Sequence, residues 1–194
     1  MMQVGADYNI RALDTADSLK SFKTGNAAFA PLKTFLVNQA CAFHGSNIAK
    51  TYVAVKLKTS ANGEKTEDPT LSVLGYITLT CSEIDIRNGY AVDDCTHANS
   101  YESLPAIKIA RLAVDSRYRS NGIGDQLVAL ALAIANDLIA PNVGCRFVVT
   151  DAKKEAVAFY KKMGFTILET EDNKNAATPV MFVDILKSLG TPLM

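Results

Sequence analysis

The sequence has no excess of charge of either sign, which narrows the classes of partner. Its 194 residues include 20 Lys and Arg side chains and 20 Asp and Glu side chains, so the formal net charge at pH 7 is zero. A protein that binds nucleic acid over a broad surface usually carries a basic excess. The balance argues against such a surface, although it is compatible with a local basic patch.

Metal-binding patterns are also lacking. The four cysteines form no C-x-x-C pair, the spacing typical of zinc and thioredoxin-like motifs. The two histidines have no carboxylate at ligand spacing, so we predict no metal site. We interpret the cysteines as buried free thiols, which behave as small hydrophobes; a catalytic cysteine is the alternative.

No apolar run is long enough to cross a bilayer. The longest, 127–139, contains Asn136 and Asp137 and falls short of the ~20 residues that a spanning helix needs. The N-terminus lacks a basic start followed by an apolar stretch, so we expect no signal peptide. We therefore predict a cytoplasmic location.

What the chain does have is the composition of a folded domain. Hydrophobic residues make up 48% and charged residues 21%, which is ordinary for a protein with a sizeable core. The length fits a single domain over residues 1–194.

Periodicity predicts a mixed fold of strands and helices. Strands are expected at 8–13, 51–57, 71–80, 106–114, 146–151, 165–170 and 179–186. Helices are expected to begin at Thr15 behind an Asp14 cap, and to span 31–44, 125–140 and 153–163. The polar stretch 59–70 predicts an extended hairpin loop, and 87–104 and 171–178 are also polar. The order indicates an α+β architecture, a mixed sheet with helices on its faces.

The segment richest in chemical information is IARLAVDSRYRSNGIGDQLV, residues 109–128. It predicts a strand, a loop with two spaced glycines, and a helix. The first turn of a helix offers unpaired N–H groups and a partial positive charge, which suit a phosphate. Gly122 and Gly124 allow phosphate oxygens to approach the backbone, and Arg119 adds a cation.

Two other anion-binding motifs can be excluded here. A P-loop requires Lys and Ser or Thr after its last glycine, whereas Asp125 and Gln126 follow in this chain. The dinucleotide fingerprint requires a third glycine, which is missing. Glycines that serve turn geometry alone remain the structural alternative.

The remaining pattern resembles the acetyl-CoA loop of the GNAT superfamily, Q/R-x-x-G-x-G/A, with matches at Arg119, Gly122 and Gly124. The resemblance implies that the loop holds the acetyl-CoA pyrophosphate and that the preceding strand binds the pantetheine arm. The cofactor-binding residues so implied are Leu112, Ala113, Val114, Arg119, Ser120, Asn121, Gly122, Ile123, Gly124 and Phe159.

A second element supports the same family. DAKKEAVAFYKKMGF, 151–165, resembles its signature A-x-x-F-Y-x-x-x-G-F, with matches at Ala156, Phe159, Tyr160, Gly164 and Phe165. The implied architecture is the GNAT fold, a mixed and mostly antiparallel central sheet flanked by helices. The implied activity is acetyl transfer to a primary amine, with acetyl-CoA as donor and no metal.

Tyr160 is the predicted catalytic residue. The leaving thiolate has a conjugate acid with a pKa near ~8.5, and a phenol within hydrogen-bond distance could protonate it. The alternative is an amphipathic core residue whose hydroxyl is satisfied locally. Candidates for a general base are numerous, and no signature selects one of them: Glu83, Asp85, Asp93, Asp94, Glu102 and His97.

The resemblance narrows further to the acetyltransferase toxins of type II toxin–antitoxin pairs, over about residues 8–186. The matching segments are FKTGNAAFAPLKTFLVNQA (22–40), AKTYVAV (49–55), VLGYITL (73–79) and LPAIKIARLAVD (104–115). That branch implies acetylation of the α-amine of aminoacyl-tRNA, a ribbon-helix-helix antitoxin and a homodimer.

Two departures keep other acceptors open. Lys33 stands where the branch often has an acidic residue, and the net charge is zero. A local basic patch could come from Arg117, Arg119, Lys153, Lys154, Lys161 and Lys162, which could equally form a solvated face with contacts to CoA. The alternatives are an acetyltransferase for a small amine or a protein N-terminus, and a non-catalytic acyl-CoA-binding domain.

Overall fold

The computed structural model describes residues 7–67 and 73–188. Their contacts group into two units. The first unit comprises the chain up to Leu79 together with Arg111–Ala129, and the second comprises Thr80–Ala110 and the chain from Leu130 onward. That residues 1–194 act as one domain stays a prediction.

The strands of the first unit pair antiparallel around β2 (Lys50–Thr59). β1 (Tyr8–Ala12) lies on one side of β2, and the first half of β4 (Gly75–Ile84) lies on the other. A short β3 (Lys65–Glu67) also pairs with β2, inside the stretch predicted as loop. The hairpin prediction is therefore confirmed in outline, with residues 71–72 of the predicted strand outside the described residues.

Two predictions for the N-terminal helices need correction. No helix begins at Thr15, because the Asp14 carboxylate and carbonyl accept the N–H groups of Ala16 and Asp17 and form a turn. The predicted helix 31–44 is two helices, α1 (Ala30–Asn38) and α2 (Ala40–Gly45). Gln39 separates them because its φ of −129° lies outside the helical range.

The core of the first unit lies between these helices and the sheet. Phe22, Phe35, Leu36 and Tyr76 are all at most 2% exposed. The rings of Phe22 and Tyr76 meet edge to face with centroids 5.8 Å apart, and the Tyr76 hydroxyl donates to the Leu32 carbonyl at 2.7 Å. The helix–sheet packing thus fixes the segment around Phe22.

A buried hydroxyl pair crosses this sheet. Thr51 and Thr78 are opposite each other on β2 and β4, both fully buried, with their hydroxyl oxygens 2.9 Å apart. We predict that Thr51→Val lowers the free energy of unfolding by about 1–2 kcal/mol, because it leaves the Thr78 hydroxyl without this partner. In the double variant Thr51→Val/Thr78→Val, most of the lost free energy of unfolding should be regained, since both polar groups are then gone. Urea denaturation of the two variants measures the difference. Additive losses would contradict the pairing.

The second unit contains the parallel part of the sheet. β5 (Leu104–Val114) pairs in parallel with β6 (Phe147–Asp151) through Ala106–Lys108. β8 (Val180–Asp184) pairs antiparallel with both β6 and the two-residue β7 (Thr166–Ile167). Its core includes the mutually packed rings of Tyr90, Phe147 and Phe182.

Helices complete the architecture. α3 (Ile123–Ala133) continues as a π-helical turn over Ile134–Ile139, and α4 (Val157–Lys162) follows a 3-10 turn. The short helices α5 (Glu171–Asn175) and α6 (Ile185–Ser188) were not predicted. α5 forms in the stretch read as a turn because the Thr170 side chain accepts the Asn173 N–H and caps it. The α+β class with a mostly antiparallel sheet and flanking helices is confirmed.

All four cysteines are free thiols, as predicted, but the prediction that they are buried is wrong for two of them. Cys41 and Cys145 are partly buried, whereas Cys81 and Cys95 are exposed, because the latter two occupy a polar strand end and a surface loop. Within residues 7–67 and 73–188, no group of three potential metal ligands occurs. In the same part of the chain, no helix is both long and apolar enough to cross a membrane.

Candidate active site

The glycine-containing loop follows β5 in the first unit, where the sequence predicted it. Ser120 and Gly122 both adopt left-handed backbone conformations, with φ of +67° and +74°. Such a conformation is unusual for a serine and costs energy that the surrounding structure must offset. The loop therefore has a specific backbone shape immediately before α3 begins at Ile123.

Space for a phosphate is present at Gly122. A Cβ built on this residue would have no heavy atom within 4 Å, and Gly122 itself is exposed. The first turn of α3, whose N–H groups have no acceptor within the helix, begins at the next residue. The loop thus fits a pyrophosphate, with backbone N–H groups as donors and no side chain in the way.

The side chains of the loop divide into two groups. Ile123 is buried at 2% exposure and packs close to Gly75, where an added Cβ would lie 2.8 Å from Ile123 Cγ2. Of Ile123, only the backbone can therefore face a ligand. Ser120 and Asn121 are exposed, Gly124 is partly buried, and Leu112, Ala113 and Val114 at the end of β5 are partly buried.

Arg119 lies exposed at the start of the loop. Its Nη2 donates to the Thr24 carbonyl at 2.5 Å. Among the described residues, no carboxylate forms an ion pair with Arg119, so its charge is available to an anion. That Arg119 is the cation at the mouth of a phosphate-binding loop stays a prediction.

Asp115, which sequence reasoning left without a role, is the buried centre of the segment before the loop. Its carboxylate is fully buried and accepts hydrogen bonds from the Lys23 N–H at 2.9 Å and from the Arg117 N–H at 3.0 Å. The Arg117 guanidinium adds two more, at 2.9 and 2.7 Å. Burial raises the pKa of Asp115, but these hydrogen bonds outweigh it and hold the pKa below its usual range.

Tyr160 lies in the second unit, on α4. It is 5% exposed, and its ring packs edge to face against Phe165 with centroids 5.3 Å apart. Phe159 is partly buried, and its ring packs against the Tyr160 ring with centroids 5.2 Å apart. Burial raises the pKa of Tyr160, and a hydrogen bond with Thr150 lowers it by less, so the phenol remains protonated at neutral pH.

The candidate bases have different surroundings. Asp93 is paired with Lys187, Asp94 with Arg146, and Glu102 with Arg87. Glu83 and Asp85 line a cavity of about 480 Å³ in the second unit, and there Asp85 is paired with Arg87 at 2.6 Å. The same cavity is lined by Asp151, whose carboxylate pairs with Lys108 at 2.5 Å, and by the apolar side chains Ile84, Val149, Leu168 and Val180.

The comparison with protein families matches both signature elements at once. Residues 73–167 match the model described as an acetyltransferase (GNAT) domain. That range includes the loop 119–124 and Tyr160, and it agrees with the fold given above. Residues 73–167 therefore form an acetyltransferase domain of the GNAT type.

Among solved structures, the chain is similar to toxins of toxin–antitoxin systems. A tyrosine-to-phenylalanine mutant of KacT superposes with a TM-score of 0.76 at 23% identity, covering 94% of this chain and 97% of that one. AtaT complexed with acetyl-methionyl-tRNAfMet gives 0.73 at 24%, covering 95% and 98%. AtaTR bound with acetyl-CoA gives 0.68 at 26%, covering 95% and 99%. No curated protein sequence matches the chain.

Proposed function

We propose that this acetyltransferase binds acetyl-CoA at the loop 119–124 and transfers the acetyl group to the α-amine of aminoacyl-tRNA. The observation that carries the donor assignment is the open space at Gly122, directly before the first turn of α3. The likeness to AtaTR, whose structure was solved with acetyl-CoA bound, supports the same donor.

Donor binding divides between backbone and side chains. The N–H groups of Gly122, Ile123 and Gly124 hold the pyrophosphate, with Arg119 as the cation beside them. The end of β5, Leu112–Val114, binds the pantetheine arm as an added strand would. A backbone N–H from the same three residues stabilises the negative charge that develops on the thioester oxygen.

Tyr160 then acts as the general acid. As the amine attacks and the carbon–sulfur bond breaks, the Tyr160 hydroxyl donates its proton to the leaving thiolate. The proton that the nitrogen loses on forming the amide passes through solvent and restores the Tyr160 hydroxyl, so the products are the amide and the thiol of CoA. Its raised pKa keeps that proton in place at neutral pH. An α-amine, with a pKa of ~7.7–8.0, is substantially neutral near pH 8 and needs little help from a base.

This assignment predicts the pH dependence of kcat. With an α-amine acceptor, kcat should rise with the neutral fraction of the amine, through pH ~8, and then stay level to at least pH ~9.5, close to the usual tyrosine pKa of ~10. The reason is that burial holds the Tyr160 pKa above that value. A pH–rate profile measured to about pH 9.5 checks this, and a decline that begins below pH 9 would assign the general acid to another group.

The acceptor assignment is supported by the likeness to AtaT, which has been seen with acetyl-methionyl-tRNAfMet. In this chain Arg117 is bound to Asp115, and Arg119 contacts the Thr24 carbonyl, so both serve the loop. Lys154 and Lys161 are exposed in the second unit and are our candidates for the RNA backbone. We further infer a cytoplasmic enzyme that dimerises and is held inactive by a ribbon-helix-helix antitoxin, a role in line with the AtaT toxin bound to its antitoxin AtaR.

A small-amine acceptor is the second candidate, and the cavity of the second unit favours it. Glu83 lies there beside an apolar floor and has no ion pair among the described residues, which suits a protonated amine with a hydrophobic body. Asp85 and Asp151 line the same cavity but are paired with Arg87 and Lys108.

One competition experiment separates the two acceptors. The purified protein is incubated with acetyl-CoA and aminoacyl-tRNA in one set of reactions. In the other set, the acceptors are the same amino acid in free form, small amines, and peptides that begin with that amino acid. Acetylation of the charged tRNA at a kcat/KM well above that of the free acceptors supports the tRNA assignment. Equal or higher values for free amines would replace it with the second candidate.

A further inference from the structure

The segment 21–25 is bound to the residues that lead into the acetyl-CoA loop, far away in the sequence. Lys23 uses both backbone groups, since its N–H donates to Asp115 Oδ2 at 2.9 Å and its carbonyl accepts the Ser116 N–H at 2.8 Å. Arg117 Nη2 donates to the Ser21 carbonyl at 3.0 Å, and Arg119 donates to the Thr24 carbonyl. Four hydrogen bonds therefore connect two short backbone segments.

Gly25 closes this contact. Its φ is +72°, and a Cβ placed on it would lie 2.7 Å from the Ser116 Cβ, closer than two such carbons can approach. Only glycine can therefore adopt this conformation and leave room for Ser116. Phe22, which belongs to this segment, is fully buried and packs against the Tyr76 ring, so it anchors the segment in the core.

The loop needs such support because of its shape. Ser120 and Gly122 hold left-handed conformations that a free loop would leave, since the serine in particular is strained there. On its far side the loop is anchored by the buried Ile123. Before the loop, the chain is held by β5 and by the segment 21–25.

We infer that Gly25 and Asp115 are positioning residues for the acyl donor: through the contact between residues 21–25 and 115–119, they keep the pyrophosphate loop in its binding shape before acetyl-CoA arrives. This inference rests on the proposed role of residues 119–124 in holding the pyrophosphate. A loop that is already ordered loses less conformational entropy on binding, so the contact raises affinity without touching the ligand.

The test compares Gly25→Ala with Gly63→Ala by calorimetric titration with acetyl-CoA. Gly63 is a matched control, because its φ is +83° and a Cβ there meets no atom within 4 Å. Both variants carry the backbone strain of a non-glycine at positive φ, but only Gly25→Ala displaces Ser116. We expect the Kd for acetyl-CoA to rise about tenfold in Gly25→Ala and to stay within about twofold of wild type in Gly63→Ala.

A second ligand distinguishes positioning of the loop from general damage. S-acetylpantetheine carries the thioester and the pantetheine arm but no pyrophosphate, so its Kd should change by less than about twofold in Gly25→Ala. In turnover assays the KM for acetyl-CoA should rise while kcat is maintained at saturation. A loss of affinity for both ligands to the same extent would overturn the inference, because it would indicate a structural defect.

Asp115→Asn provides an independent variant. The amide keeps the size of the carboxylate but places an NH₂ group against the N–H of Lys23 or Arg117, so the same selective loss is expected if the protein folds. If wild type binds acetyl-CoA and Gly25→Ala binds it equally well, this inference alone fails. If wild type does not bind acetyl-CoA, the proposed donor site fails and this inference fails with it.

Discussion

Gly122→Trp is expected to raise the Kd for acetyl-CoA by at least about 100-fold. The space around Gly122 is open, so an indole there meets no neighbouring atom and instead occupies the room where a phosphate would approach the backbone. The loss arises from steric exclusion at the donor site, and calorimetric titration measures it directly.

Gly63→Trp is the control for this change. Gly63 has the same sign of φ and the same open surroundings, in the loop between β2 and β3, so the conformational strain and the added surface are similar. Because the natural sequence contains no tryptophan, the single indole of each variant also reports its unfolding by fluorescence. Equal acetyl-CoA affinity in the two variants would contradict the assignment of the pyrophosphate to the loop 119–124.

Tyr160→Phe is expected to lower kcat by about 100-fold to about 10,000-fold while leaving the Kd for acetyl-CoA nearly unchanged. The substitution removes one hydroxyl and keeps the ring that packs against Phe159 and Phe165. Thr150, the hydrogen-bond partner of that hydroxyl, still donates to the Ile109 carbonyl at 3.1 Å. We therefore expect a loss of stability of only about 1 kcal/mol.

Tyr101→Phe is the matched control, since Tyr101 is 65% exposed in the second unit. It should retain wild-type kcat, KM and melting temperature. If Tyr160→Phe keeps most of its activity and only loses stability, Tyr160 is a core residue with a locally satisfied hydroxyl, which is the alternative that its burial leaves open.

The sequence was most informative where backbone geometry requires a particular residue. The spacing of Gly122 and Gly124 after a strand predicts a phosphate loop, which stays a prediction. The structure shows the positive φ and the open space at Gly122 that such a loop needs. Phe22 and Gly25 entered the sequence analysis only as part of the segment 22–40, which resembles the toxin branch. The physical reason for the glycine, a close approach of Gly25 to Ser116, is a contact between positions far apart in sequence that local periodicity cannot reveal.

Local patterns failed where a single side chain or backbone angle decides the outcome. Asp14 satisfies a turn instead of capping a helix, and Thr170 caps a helix in a stretch that reads as a turn. The helix breaks at Gln39, although the sequence there contains no proline or glycine that would predict a break. Asp115 likewise gave no signal of its own, because its importance depends on a donor from Lys23.

The most direct test of the central claim is a transfer assay with the wild-type protein, acetyl-CoA and charged tRNA, followed by hydrolysis of the ester and identification of the released amino acid. We expect CoA to be released in step with formation of an N-acetylated amino acid, and neither product to form in the variant Tyr160→Phe. A folded protein that binds acetyl-CoA yet releases no CoA with charged tRNA, free amino acids, small amines or peptides would contradict this claim, and would identify the chain as an acyl-CoA-binding domain without transferase activity.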